Sequence, residues 1–282
     1  MHIRRRYRTP NAVEVQEFNS AKCPGKEKVR RKKENPTPER MAKNNQRRKQ
    51  REAGRMVDKY FNEDDLVLTL TWKTDERPET VKGALDHFKK LVAYLRREYS
   101  KRYYELFWMR NVELGPKGGC HIHMIVNRIE GAEFLIKDFW RKFGGVYIQY
   151  LQDMHDQGKD IGEYITKSKQ STKDKEKGKL VDSSWNHSRN IKKVPPEDVV
   201  ISRQSMDRDP QVPKGWYLDK DSEYRGETID GYPFRTYTIR RLVKKRIEHK
   251  MGPAQIRKLT VKKKPRKKGG TCRKKTETAK ES

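Results

Sequence analysis

The stretch Arg110-Asn-Val-Glu113-Leu-Gly-Pro-Lys-Gly-Gly-Cys-His121-Ile-His123-Met-Ile-Val126 decides how this chain folds. Gly115-Pro116-Lys117-Gly118-Gly119 is a run of turn formers, and apolar residues alternate with polar ones on both sides of it. The segment therefore reads as a β-hairpin with a five-residue connection. Symmetry about Lys117 sets Glu113 opposite His121. Opposed residues of an antiparallel pair point to one face with Cβ atoms about 5 Å apart, and His123 shares that face by alternation. One carboxylate and two imidazoles thus converge in an incomplete metal-ligand set that leaves positions for substrate and water. Such a set suits Mg²⁺ less well than all-oxygen sites do, and it suits Mn²⁺. Cys120 points to the opposite face and reads as a packing residue.

Upstream, Asp65 to Trp72 reads as a strand with Leu66, Leu68 and Leu70 on one face and Val67, Thr69 and Thr71 on the other. Val81, Leu85, Phe88, Val92 and Leu95 then recur at helical spacing, a stripe that belongs on a sheet. The strand leading into the hairpin is expected from about Tyr103 to Leu114, with Tyr104, Leu106, Trp108 and Val112 facing the helices and Arg110 interrupting them. Downstream, Leu135, Ile136, Phe139, Trp140 and Phe143 form a second helical stripe ended by Gly144-Gly145, and Val146 to Leu151 reads as a fourth strand. Strand, helix, strand, strand, helix, strand is the order of a ferredoxin-like split βαβ, an α+β fold with a central antiparallel sheet and helices on one face. Its other face is expected to stay open.

Asp160 to Lys169 reads as a short helix on which Tyr164 and Lys167 share a face while Ile161 and Ile165 anchor it.

These residues carry a resemblance. His121-Ile-His123 resembles the histidine-hydrophobe-histidine signature of the HUH endonucleases, which start rolling-circle replication, conjugation and some transpositions. Glu113, eight positions before the first histidine, is similar in place to the third metal ligand of replication initiators. Tyr164-Ile-Thr-Lys167 resembles the family's Tyr-x-x-Lys nucleophile motif, and Asp65-Leu-Val-Leu-Thr-Leu-Thr-Trp72 its first motif. The elements follow family order from about Asp65 to Lys169.

The resemblance implies a one-tyrosine rolling-circle initiator that nicks and religates single-stranded or melted origin DNA. By the same resemblance Mg²⁺ or Mn²⁺ sits on Glu113, His121 and His123, and Tyr164 is the nucleophile that leaves a 5′-phosphotyrosine link. Lys167 holds the phosphate or steadies the tyrosinate; Ser168 follows it where some relatives carry Asp, which leaves the orientation of Lys167 open. Lys117, Lys167, Lys169 and Arg189 are the expected DNA contacts. Trp185-Asn-His-Ser-Arg189 also resembles a segment after the nucleophile helix in replication proteins of filamentous phages. The alternatives are a one-tyrosine transposase or relaxase, and an inactive basic nucleic-acid-binding protein.

Composition sets the frame. The 282 residues are 32% hydrophobic and 38% charged, with a formal net charge of +29. Such a chain carries a compact domain with polar extensions rather than one continuous core, and its charge calls for a polyanionic partner. Cys23, Cys120 and Cys272 lack paired spacing, which argues against a disulfide scaffold or a zinc ribbon. No long apolar run or signal-peptide core occurs, so no membrane role is expected, and the expected location is the host cytoplasm, or the nucleus in a eukaryotic host. No phosphate-binding Gly-x-x-x-x-Gly-Lys-[Ser/Thr] occurs, so unwinding and synthesis fall to a separate helicase and a host DNA polymerase. The expected organisation is a basic, largely disordered arm over 1–58, the endonuclease domain over 59–170, an accessory region over 171–250 with an aromatic hairpin, and a basic tail over 251–282.

Overall fold

The computed structural model describes residues 2–19, 37–78, 80–114, 120–156, 160–166, 185–202, 204–205, 208–227 and 232–262. It divides into two units, residues 1–249 and 250–282, and the described part of the second is one helix, Pro253–Lys262.

The first unit holds two five-stranded antiparallel sheets. The nuclease-like sheet is built from β3 (Leu66–Leu70), β4 (Trp108–Leu114), β5 (Cys120–Val126), β6 (Val146–Tyr150) and the short β7 (Asn186–His187), in the order β6-β3-β5-β4-β7. Without β7 this is the order of the ferredoxin-like split βαβ expected from the sequence. The helices α2 (Val81–Lys101) and α3 (Ala132–Trp140) supply its crossovers. Leu66, Leu68, Leu70, Ile122, Met124 and Val126 are sealed against Phe88, Leu91, Leu95, Ile136 and Trp140 of these helices. Cys120 is buried on this side, away from the histidines.

Two local devices shape this layer. A Cβ on Gly144 would collide with the main chain of Thr71 and Trp72, so glycine lets the turn after α3 press against the end of β3. Arg110 lies in the helix-facing core with its guanidinium 5.5 Å from the centre of the Phe88 ring, and burial pulls its pKa down to about 10. The strand expected from Tyr103 starts only at Trp108. α2 runs on to Lys101 and Tyr103 takes a left-handed turn with φ 60°, so the intervening residues cross an edge of the molecule instead of extending the sheet.

The second face of this sheet is half covered, not open. α1 (Pro38–Tyr60), α4 (Leu151–Asp156) and α5 (Ile161–Thr166) lie against it, with Ala53, Met56, Val57, Met154, Ile161 and Ile165 packed on Val67, Met109 and Ile125. Glycine again permits the contact between helices, since a Cβ on Gly162 would strike the carbonyl of Gln50 and lie 3.1 Å from the amide of Gly54. Thr69, Asn111, Glu113, His121 and His123 share this face by strand alternation and register.

The second sheet has the order β8-β1-β2-β10-β9, from β1 (His2–Arg8), β2 (Ala12–Asn19), β8 (Pro196–Ile201), β9 (Trp216–Glu227) and β10 (Pro233–Arg241). The hairpin expected in the accessory region is β9–β10. The expected disordered arm over 1–58 instead contains β1, β2 and α1. Its order comes from pairing rather than from apolar content. Arg4 bonds the buried Glu17 at 2.6 Å, Arg5 grips Asp198 through two bonds of 2.7 Å, and Arg8 reaches Glu197 at 2.7 Å. One face of this sheet docks on α1, where the Arg55 guanidinium lies 3.7 Å from the Tyr7 ring centre and 3.4 Å from Glu14. Residues 20–36, 167–184 and 263–282, the last including the basic tail, lie outside the described residues.

Candidate active site

Hairpin register comes first. β4 and β5 pair with Glu113 opposite His121 and Asn111 opposite His123, the register expected from symmetry about Lys117. Next to them, β3 places Thr69 opposite His123. α5, one and a half turns long and held on α1, carries Tyr164 to the same place.

The four groups meet at His123. Its Nε2 lies 2.9 Å from Glu113 Oε2, and its Nδ1 lies 2.8 Å from the Tyr164 hydroxyl and 3.2 Å from Thr69 Oγ1. A carboxylate accepts, so Nε2 carries the proton and donates to Glu113; Nδ1 then holds the lone pair and accepts from Tyr164. The rings of His123 and Tyr164 stand edge to face with centres 5.2 Å apart. Burial raises the Tyr164 pKa above its usual value, the hydrogen bond from Thr69 works against that rise, and the Glu113 charge adds to it. Tyr164 is therefore held as a neutral phenol, poised beside a base.

The donor set fits a divalent cation along one edge. Two ligands of an ion bound at about 2.0–2.2 Å stand roughly 3 Å apart when adjacent, and the 2.9 Å between His123 and Glu113 matches that spacing. His121 adjoins the same edge from the position opposite Glu113. Among the described residues no group of three or more His, Cys, Asp or Glu side chains is gathered as a cage. Glu113 and His123 are closed on each other, and His121 is their register neighbour.

Of the other expected residues, Lys117, Lys167 and Lys169 lie outside the described residues. Arg189 is exposed just past β7, where the Ser188 amide donates to the Trp108 carbonyl at 2.8 Å. That is the far end of β4, about 17 Å along the strand from Glu113 at roughly 3.3–3.4 Å per residue. The structure does not bring Arg189 to the tyrosine. Thr69 and Asn111 are site neighbours that motif reading did not single out. The signal for both was alternation, which sets Thr69 on the histidine face of its strand and Asn111 two residues before Glu113.

Residues 65–169 match the family described as replication-associated protein ORF2, a match consistent with a rolling-circle replication initiator. The span runs from the residue before β3 to just past α5 and so encloses Glu113, His121, His123 and Tyr164. No curated protein and no solved structure matches the chain. No described helix is long and apolar enough to cross a membrane.

Proposed function

We propose that this protein is a one-tyrosine, HUH-type rolling-circle initiator that nicks and rejoins single-stranded or melted origin DNA. The observation that carries the reading is the chain of contacts Tyr164 hydroxyl, His123 ring, Glu113 carboxylate, all within 2.9 Å. It lies within the span that matches a replication-associated family.

In this reading Tyr164 attacks the scissile phosphorus in line. The new bond joins the phenolic oxygen to phosphorus, the bond from phosphorus to the 3′-oxygen breaks, and the products are a 5′-phosphotyrosine and a 3′-hydroxyl. The phenolic proton has an acceptor in place, His123 Nδ1 at 2.8 Å. Thr69 holds the phenol and the imidazole together, and the Glu113 carboxylate fixes the ring orientation through Nε2. Glu113, His121 and His123 are the residues that would hold Mg²⁺ or Mn²⁺. When bound, such a cation supplies positive charge beside the phosphate oxygens and the phenol. That charge matters here because burial and Glu113 both oppose ionisation of Tyr164. Lys167 serves as phosphate contact in the same reading, and a separate helicase with the host polymerase extends the 3′-hydroxyl.

Incubation of the full chain with labelled origin-like single strands and Mn²⁺, followed by a denaturing gel, tests this. The expected result is a covalent protein–DNA band that is lost in Tyr164→Phe and on chelation, with single-strand affinity nearly unchanged in the variant. Cleavage retained by Tyr164→Phe overturns the assignment.

A further inference from the structure

The second sheet has two unlike faces. One is used for packing against α1 through Tyr7, Glu14 and Arg55. The other walls a cleft of about 660 Å³, closed on its far side by residues 208–213. Arg4, Arg6 and Arg8, alternate residues of β1, enter this cleft together with Arg208, and Asp209 is the acidic residue among its lining. The floor between them is apolar, formed by Val13, Val15, Tyr237 and Ile239 with Trp216 at its edge.

These guanidiniums are not equally engaged. Arg4 is tied to the buried Glu17, and Arg8 pairs with Glu197 where both side chains are more than half exposed, an arrangement worth little and readily exchanged. Glu197 stands opposite Arg6 in the register, yet its carboxylate goes to Arg8. Arg6 and Arg208 have no carboxylate partner among the described residues. The main chain of Arg208 is fixed to the sheet, because the buried Arg235 donates to its carbonyl at 2.7 Å while also holding Glu223 at 2.9 Å. A fixed main chain reduces the conformational freedom that Arg208 loses on binding an anion.

We propose that this cleft is a second nucleic-acid site, binding the sugar-phosphate backbone of single-stranded DNA along β1, separate from the tyrosine site. Alternate residues of a strand stand roughly 6.5–7 Å apart, a repeat close to that of successive phosphates in an extended polynucleotide. The planar guanidinium matches phosphate through paired hydrogen bonds. Trp216 on the rim offers a stacking surface, and the Arg241 guanidinium already lies over its ring at 4.6 Å. The cleft is too narrow for a duplex, which selects the single strand. Only the identity of the polyanion as DNA rests on the nicking reading; the cleft and its charge stand without it.

The test is equilibrium binding of a fluorescent oligothymidylate to the full chain in metal-free buffer, from about 50 to about 200 mM salt. Arg6→Glu/Arg208→Glu is compared with Arg96→Glu/Arg97→Glu, which makes the same charge change on the exposed side of α2. Removing two phosphate contacts lowers the salt slope by about 1.4, so roughly sevenfold of the affinity change across that salt range disappears. The control pair should leave the slope unchanged. Arg6→Gln/Arg208→Gln, which cannot repel its neighbours, should show the same slope loss if charge reversal disturbs β1. Equal slopes in the cleft and control variants overturn the proposal, and so does a loss confined to duplex DNA. No cleavage is read, so a chain without nicking activity can still pass, and a nicking chain can still fail.

Discussion

Tyr164 is a nucleophile candidate kept in its unreactive form by where it sits. Its pKa lies above the usual tyrosine value because burial and Glu113 outweigh the hydrogen bond from Thr69. The tyrosinate fraction therefore grows with pH throughout the neutral and mildly alkaline range, and adduct formation is expected to accelerate across it. The absorbance titration of the chain minus that of Tyr164→Phe should show a midpoint above the value of about 10 usual for a tyrosine, since the shift is upward. Thr69→Val removes a bond that favours the ionised phenol. With a hydrogen bond to a charged group worth about 1.5–3 kcal/mol, the nicking rate should fall roughly tenfold or more while single-strand binding holds. Single-turnover adduct formation measures it. At this scale much was legible in advance, because hairpin symmetry and strand alternation fix which side chains oppose which. Thr69 was hidden, since a threonine in a strand is ordinarily just a good β-former. The closure of His123 on Glu113 was hidden too, because spacing gives the face of a side chain and not its rotamer.

At the scale of elements, the position of Tyr164 depends on a helix of six residues that cannot hold itself together. α5 is kept in place by Ile161 and Ile165 in the apolar cluster beneath it, by the Asp160 carboxylate accepting from the Gly162 and Glu163 amides at 2.8 and 3.1 Å, and by close approach to α1 at Gly162. Gly162→Ala forces a methyl group into the α1 main chain. It should cost about 1–3 kcal/mol and lower nicking more than it lowers bulk DNA binding, because the phenol moves while the cationic surfaces stay. Thermal unfolding alongside adduct yield checks both parts. The helices α2 and α3 were legible because each buries a continuous stripe. α1 was not, because its sequence is cationic through most of its length and its buried residues, Ala53, Met56 and Val57, fall in the last two turns. β1 was hidden for a related reason: four of its seven residues are arginine, and its stability comes from carboxylates nearly two hundred residues away.

For the whole first unit, the segment 242–249 runs back to the loop after α1. Asn62 exchanges bonds of 3.1 and 2.7 Å with Ile247, and Lys244 and Arg246 pair with Glu63 and Asp64. His249 closes the strap, donating from Nε2 to the Tyr60 carbonyl at 2.8 Å beside the Phe107 ring, and burial lowers its pKa below 6.5. The folded form thus binds fewer protons at this site than the unfolded chain does, and the contribution of His249 is full above about pH 6.5 and declines as pH falls toward the lowered value. His249→Gln keeps a donor for the carbonyl without a titrating ring. Between pH 7 and pH 5 the melting temperature should fall more in the native chain than in this variant. The ferredoxin-like half was readable because its partners are neighbours along the chain. The second sheet was not, because β1 and β2 lie at one end and β8, β9 and β10 at the other. That separation has a consequence for synthesis. A ribosome adding about 5–20 residues each second needs on the order of ten to forty seconds after β1 and β2 emerge before their outer partners exist. The catalytic half can mature during that wait, while an arginine-lined ribbon waits beside it in a cell full of nucleic acid.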